Sequence, residues 1–284
     1  MKKFLLLGLL MPCFAHAQWH VNLFGGFANY FGDLQDKPYT TQQAHGAFGA
    51  GLQYDLNAHL SVLSNFTYGK VGAADKFNSK ADLKARNLSF QTNIFEWNVL
   101  GEYNLLSLDK NRFTPYVFAG LAIYHYNPYA FDTLGRKVNL KPLSTEGEGL
   151  AGNPDRKPYG LTQLAIPFGG GIKLRITEDV VIAYEIGLRK LFTDYLDDVS
   201  TRYVDQATLL AARGPLAVEM AYRGNELKQN AGATYPPDGT VRGNSKHMDW
   251  YYFSGIRVTI ALHSSNSGVY KSGHGGMDCP KKVY

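Results

Sequence analysis

Three features of the 284-residue chain predict an all-β fold, an eight-stranded antiparallel transmembrane β-barrel of the outer-membrane type with long extracellular loops and a periplasmic C-terminal tail. Apolar and polar residues alternate with period two through eight runs, the signature of strands with two unlike faces. The connections alternate between short and long, and an even strand number with short turns on one side and long loops on the other describes such a barrel. The chain also opens on a stretch that reads as an export signal.

That opening stretch sets the compartment. Lys2 and Lys3 precede an apolar run from Phe4 to Phe14, and Ala15-His16-Ala17 forms a small-x-small cleavage site. The run is too short for a transmembrane helix, which needs about 20 apolar residues. Pro12 stands where a lipoprotein signal around Cys13 would need a small residue. Cleavage after Ala17 divides the chain into a signal peptide at 1–17, a barrel at 18–263 and a periplasmic tail at 264–284. Removing Lys2 and Lys3 lowers the formal charge from +5 to +3, a mild bias that does not point to nucleic acid. Cys279 is then the sole cysteine, which excludes a disulfide-stapled fold. The 19 tyrosines, 16 phenylalanines and 30 glycines favour pleated packing and tight turns.

The eight runs follow in order. In "WHVNLFGGFANYF", Trp19, Val21, Leu23, Phe27 and Phe31 share a face, and in "FGAGLQYDL" Phe48, Ala50, Leu52, Tyr54 and Leu56 oppose Gln53 and Asp55. Leu60, Val62, Phe66 and Tyr68 make the third run, and Phe95, Trp97, Val99, Tyr103 and Leu105 the fourth. Residues 113–126 and 161–176 supply the fifth and sixth. Val180, Ile182, Tyr184, Ile186 and Leu188 form the seventh, and Trp250, Tyr252, Ile256, Val258 and Ile260 the eighth. Short links, "NAH", about "SLDKN" and "TED", join runs two to three, four to five and six to seven. The others are long, at about 33–43, 73–88, 127–160 and 194–246. With the first strand running outward after export, the long loops face the exterior and the tail the periplasm.

Alternation also sorts the charges. Asp55, Glu96, Glu102 and Glu185 fall inward, against Lys173, Arg175, Arg189 and Arg257. An eight-stranded barrel leaves an interior that side chains fill, and an uncompensated buried charge costs several kcal/mol. The eight groups are therefore read as a closed ion network, with a proton path or narrow channel as the other reading. Inward Gly169 and Gly171 fit the same crowded interior, and "FGGG" at 168–171 lies within a strand with no helix after it, unlike a phosphate loop.

No catalytic set emerges, and no cofactor is implied. No serine–histidine or cysteine–histidine pairing stands out, and His247 and His263 belong to opposite ends of the last strand. Asp194, Asp197 and Asp198 crowd one loop. They are read as capping a helix that starts after Ser200 and stops at Gly214-Pro215, with calcium binding as the weaker alternative. A second, weaker helix falls at "LAVEMAYRG".

"FTDYLDDVSTRYVD" (192–205), "RGN" ahead of "DWYYFSGIRVTIAL" (249–262), and a tail containing "CPK" together resemble the PorG-like family of outer-membrane barrels attached to the type IX protein secretion machine. The resemblance implies a structural component without catalysis, embedded in outer-membrane lipid. It also implies contact with a periplasmic ring of a PorK-like lipoprotein and a PorN-like partner. The Ser/Gly-rich tail cannot fold alone, and a lone cysteine in an oxidising compartment suggests an intermolecular disulfide. Cys279, with Pro280, Lys281 and Lys282, is read as the partner-binding tail. A free thiol, a homodimer bridge, and metal binding with His274 and Met277 are the alternatives. The other functional reading is a general small barrel, either a stability protein or a narrow porin-like channel.

Overall fold

The structure, a computed structural model, describes residues 19–35, 37–38, 40–230 and 232–262. The proposed signal peptide and the tail residues Cys279, Pro280, Lys281 and Lys282 lie outside the described residues, as do His263, His274 and Met277. The elements in chain order are β1 Trp19–Phe31, β2 His45–Asp55, β3 Leu60–Ala74, α1 Ala81–Arg86, β4 Ser89–Asn104, β5 Phe113–His125, β6 Tyr129–Phe131 and β7 Lys137–Asn139. There follow β8 Thr162–Arg175, β9 Val180–Leu191, α2 Gln206–Arg213, α3 Pro215–Ala221 and β10 Trp250–Leu262. The strands β6 and β7 form a small hairpin in a loop, and the other eight close a barrel.

Every neighbouring pair in the barrel is antiparallel, and β1 closes it by pairing with β10. From Trp19 the register passes through Tyr54, Val62, Gly101, Ala119, Phe168, Leu188 and Tyr252 and re-enters β1 at Asn29, ten residues up the strand. A stagger of ten across eight strands tilts them by about 40°, within the range for closed barrels. Eleven residues so tilted cover about 25 Å, the height of a lipid-facing band.

The strand limits follow the expected connections to within a few residues, but the expected alternation does not hold to the strand ends. β3 continues to Ala74 and β4 begins at Ser89, where alternation of apolar-out and polar-in breaks down. Above that level Val71, Phe90 and Ile94 point inward and are buried, while Lys70, Gln91 and Asn93 point outward. The pattern inverts because the outer faces there no longer form the apolar belt. At this loop end Ala28, Tyr30, Leu34, Phe90, Tyr124, Leu196 and Tyr251 join a large ordinary core.

The loops fold into a cap over that core. The expected helix after Ser200 instead starts at Gln206 and is capped by Asp205, whose carboxylate accepts the Thr208 N–H at 2.8 Å. Ser200 lies six residues before that helix and instead donates its N–H to Glu146, at 2.9 Å. Gly214, at φ +83°, breaks the chain between α2 and α3, and α3 occupies the expected second helix. The short helix α1 and the β6–β7 hairpin were not legible in the sequence.

Candidate functional site

The outer wall is apolar across its middle. Phe66 and Leu121 are 68% and 69% exposed, and Leu23, Phe27, Phe48, Leu52, Phe95, Trp97, Ile172 and Ile256 are exposed around them. Lys70 and Lys190 alone carry a formal charge at outward strand positions, and both lie toward the loop end. Aromatic pairs mark the two edges: Trp19 packs on Tyr54 at 4.8 Å near the turn end, and Trp250 on Phe168 at 6.0 Å near the loop end. Mid-wall Trp97 satisfies its indole N–H on Ser64 Oγ at 3.1 Å, so it exposes no unpaired donor.

The lumen holds the charges. Glu102, fully buried, pairs with both Lys173 and Arg257. Arg257 also reaches Glu185 at 3.3 Å, and Glu185 accepts the Tyr116 hydroxyl at 2.7 Å. A second cluster has Arg189 donating from Nε and Nη2 to Glu96, each at 3.0 Å, with Tyr251 and Asn98 donating to the same carboxylate at 2.6 and 2.7 Å. Asp55 sits nearer the turn end, accepting from Gln53 at 2.6 Å and Ser61 at 2.7 Å, with His20 3.6 Å away. Arg175 lies at the turn-end rim, half-buried, and joins no ion pair among the described residues. Inward Gly171 sits close against β9 and the lumen packing: a Cβ there would lie 2.0 Å from the Tyr184 carbonyl oxygen and 3.0 Å from both Glu185 Cα and the Tyr116 ring. A cavity of about 30 Å³ remains between Asn22, Asn65, Asn98, Arg189 and Arg257, room for about two water molecules.

The cap is the part the sequence reading missed. Glu146 accepts the N–H groups of Ser200 and Thr201 at 2.9 and 2.8 Å, the Thr201 hydroxyl at 2.6 Å, and Arg242 at 3.0 Å. Asp198, in the left-handed region at φ +67°, accepts from Tyr159 and Thr145, both at 2.6 Å, while Arg242 donates to its carbonyl at 2.6 Å. Arg86 forks onto Asp75 with two 2.8 Å contacts and also donates to the carbonyls of Arg242 and Asp33. Burial pushes Asp198 up to about 6 despite the Arg242 charge, and pushes Glu148, which faces Asp198 and Glu146, up to about 8. Asp194, Asp197 and Asp198 thus belong to a buried polar core and not to a helix cap. Among the described residues no group of three or more His, Cys, Asp and Glu is arranged to hold a metal ion. His247 is exposed at the loop end beside Asn244.

Comparison with solved structures finds small barrels of low identity. Neisserial surface protein A is 9% identical at a TM-score of 0.43, with 87% of this chain and 99% of that chain covered. The attachment invasion locus protein Ail of Yersinia pestis, in complex with the heparin analogue sucrose octasulfate, is 8% identical at 0.41, covering 87% and 99%. The outer membrane protein OprG of Pseudomonas aeruginosa is 11% identical at 0.40, covering 88% and 98%. No curated protein matches the chain. Residues 2–211 match a family defined by a domain of unknown function, and the chain belongs to that family, DUF6089.

Proposed function

We propose that this chain is a structural, non-enzymatic barrel of the outer membrane, embedded through its apolar wall and closed by its own side chains. One observation carries the reading. Formal charge is absent from the outer wall except at Lys70 and Lys190, while Glu96, Glu102, Lys173, Arg189 and Arg257 are buried inside. A barrel in water would need the reverse, because large exposed apolar surfaces drive association. In lipid, a closed barrel satisfies its backbone without an edge.

The finer reading is an anchor for a type IX secretion assembly, with the short turns in the periplasm and the capped loops outside the cell. The resemblance at 192–205, 249–262 and the tail supports it. The end of the last strand supports it too: Leu262 pairs with Trp19, at the same end of the barrel as the short turns. From there Cys279, flanked by Pro280, Lys281 and Lys282, reaches a PorK-like lipoprotein or PorN-like partner and forms a disulfide. A non-reducing gel of native membranes tests this, with wild type beside Cys279→Ser. A reducible band of higher mass, present only in wild type and identified as a ring component, is the expected result. A wild-type monomer under both conditions removes the covalent anchor and leaves a general small barrel.

A further inference from the structure

The phenol oxygen of Tyr30 lies 2.6 Å from Asp197 Oδ2 and 2.9 Å from Asp249 Oδ1. A tyrosine hydroxyl has one hydrogen to give. Donated to Asp197 along the shorter contact, it leaves Asp249 Oδ1 against a bare phenol oxygen. That contact is attractive only if Asp249 is the neutral acid and donates back. The carboxyls also have fixed backbone donors: Asp197 Oδ1 accepts the Val199 N–H and Asp249 Oδ2 accepts the Leu196 N–H, each at 2.9 Å, and the Asp197 N–H also donates to the Asp249 carboxyl. The extra proton therefore sits between the carboxyls and the phenol. All three residues are at most 1% exposed.

We infer that the cap is a proton-dependent latch, its closure over the barrel requiring one proton held by Asp197 and Asp249 across the Tyr30 hydroxyl.

The surroundings favour the proton over a compensating cation. From the end of β1, Asp33 faces the pair, with Asn244 N–H on its Oδ2 at 2.8 Å. From the 192–205 segment, Asp194 faces Asp249 and Asp33, 4% exposed, with the Ser200 side chain hydrogen-bonding its carboxylate. Glu146 and Glu148 lie beyond, on the loop after β7, and Tyr124 and Tyr126 face Asp249 from β5 and its loop. The cations that reach this region are Arg86, from α1, and Arg242, ahead of β10, and both are engaged: Arg86 forks onto Asp75, and Arg242 holds Glu146 and the Asp198 carbonyl. Burial raises Asp197 and Asp249 well above the usual carboxylate range, and raises Asp194 to about 9.

The sign follows from proton count. The closed cap binds more protons than the open one, so closure is fully favoured below the ordinary carboxylate range near pH 4 and weakens as pH rises through the raised values. Asp249→Asn makes the proton unnecessary: its amide nitrogen donates to the phenol at any pH, and its carbonyl keeps the Leu196 N–H.

Hydrogen exchange of the full chain in lipid nanodiscs at pH 5 to 9, corrected for intrinsic rate, reads the latch at 193–201 and 244–249. In wild type, protection there falls with pH while β4 and β5 stay protected. One proton gives a slope steeper by about tenfold per pH unit than that of Asp249→Asn. Asp197→Asn gives the same comparison should Asp249→Asn fail to fold. Protection in wild type that is flat from pH 5 to 9 overturns the latch. So does a wild-type slope shared by the variants.

Discussion

Replacing Glu102 with glutamine keeps the shape of the lumen and changes only its charge. Glu102, Glu185, Lys173 and Arg257 form a neutral group in which the two cations are 3% and 4% exposed. Glu102→Gln leaves that group with one uncompensated positive charge, because Glu185 already faces Arg257. Removing one member of a buried pair costs about 3–5 kcal/mol, mostly from the stranded charge. Adding Lys173→Met restores neutrality, with Arg257 and Glu185 left as a pair. The double variant therefore recovers most of the loss, and the double-mutant cycle gives a coupling of about 2–3 kcal/mol between the two sites. Urea unfolding of the barrel in lipid vesicles, followed by tryptophan fluorescence, measures both. A Glu102→Gln loss below about 1 kcal/mol would refute the closed ion network, as would a double variant no more stable than the single one.

Three further outcomes follow from the packing. In planar bilayers the wild-type barrel shows no steady conductance, since its interior cavity is about 30 Å³; a stable open state would favour a porin-like channel. Gly171→Val, which forces atoms against Tyr116 and Glu185, destabilises the barrel by about 1–3 kcal/mol or prevents folding, whereas Gly25→Ala, where a Cβ meets nothing within 4 Å, leaves the urea midpoint unchanged. Arg242→Met strands Glu146, which is fully buried, and loosens the cap by about 3–5 kcal/mol; hydrogen exchange then rises across 195–205 while β4 and β5 stay protected.

The barrel was legible because each strand carries its own evidence. Period two fixes which residues share a face, so Glu96 and Arg189 fall inside without knowledge of their neighbours. Parity does not give depth, and Arg175 shows the difference: it has the inward phase but sits at the rim, away from the acids that Arg257 reaches. The limits of β3 and β4 were legible from the connection between them, but the switch of the apolar face above the belt was not, because a search for one continuous alternation stops there. The two helices of the cap were legible, but the contacts that close it were not. Tyr30 meets Asp197 and Asp249 across 167 and 219 residues of chain, and Glu146 meets Arg242 across 96. Nothing periodic marks such partners. Ser200 was a plausible helix cap by residue type, but the segment 200–204 folds into the cap's polar core and the helix starts later, at Gln206 behind Asp205.

The central claim, an apolar wall facing lipid, is tested most directly by quenching with lipids brominated at mid-chain. Trp97 lies in the middle of β4, 42% exposed and outward-facing, while Trp19 and Trp250 begin β1 and β10 at opposite ends of the wall. In variants that keep one tryptophan each, mid-chain bromines quench Trp97 strongly and Trp19 and Trp250 weakly. Equal, weak quenching of all three, with free access of Trp97 to aqueous iodide, would place the wall in water and contradict the membrane barrel.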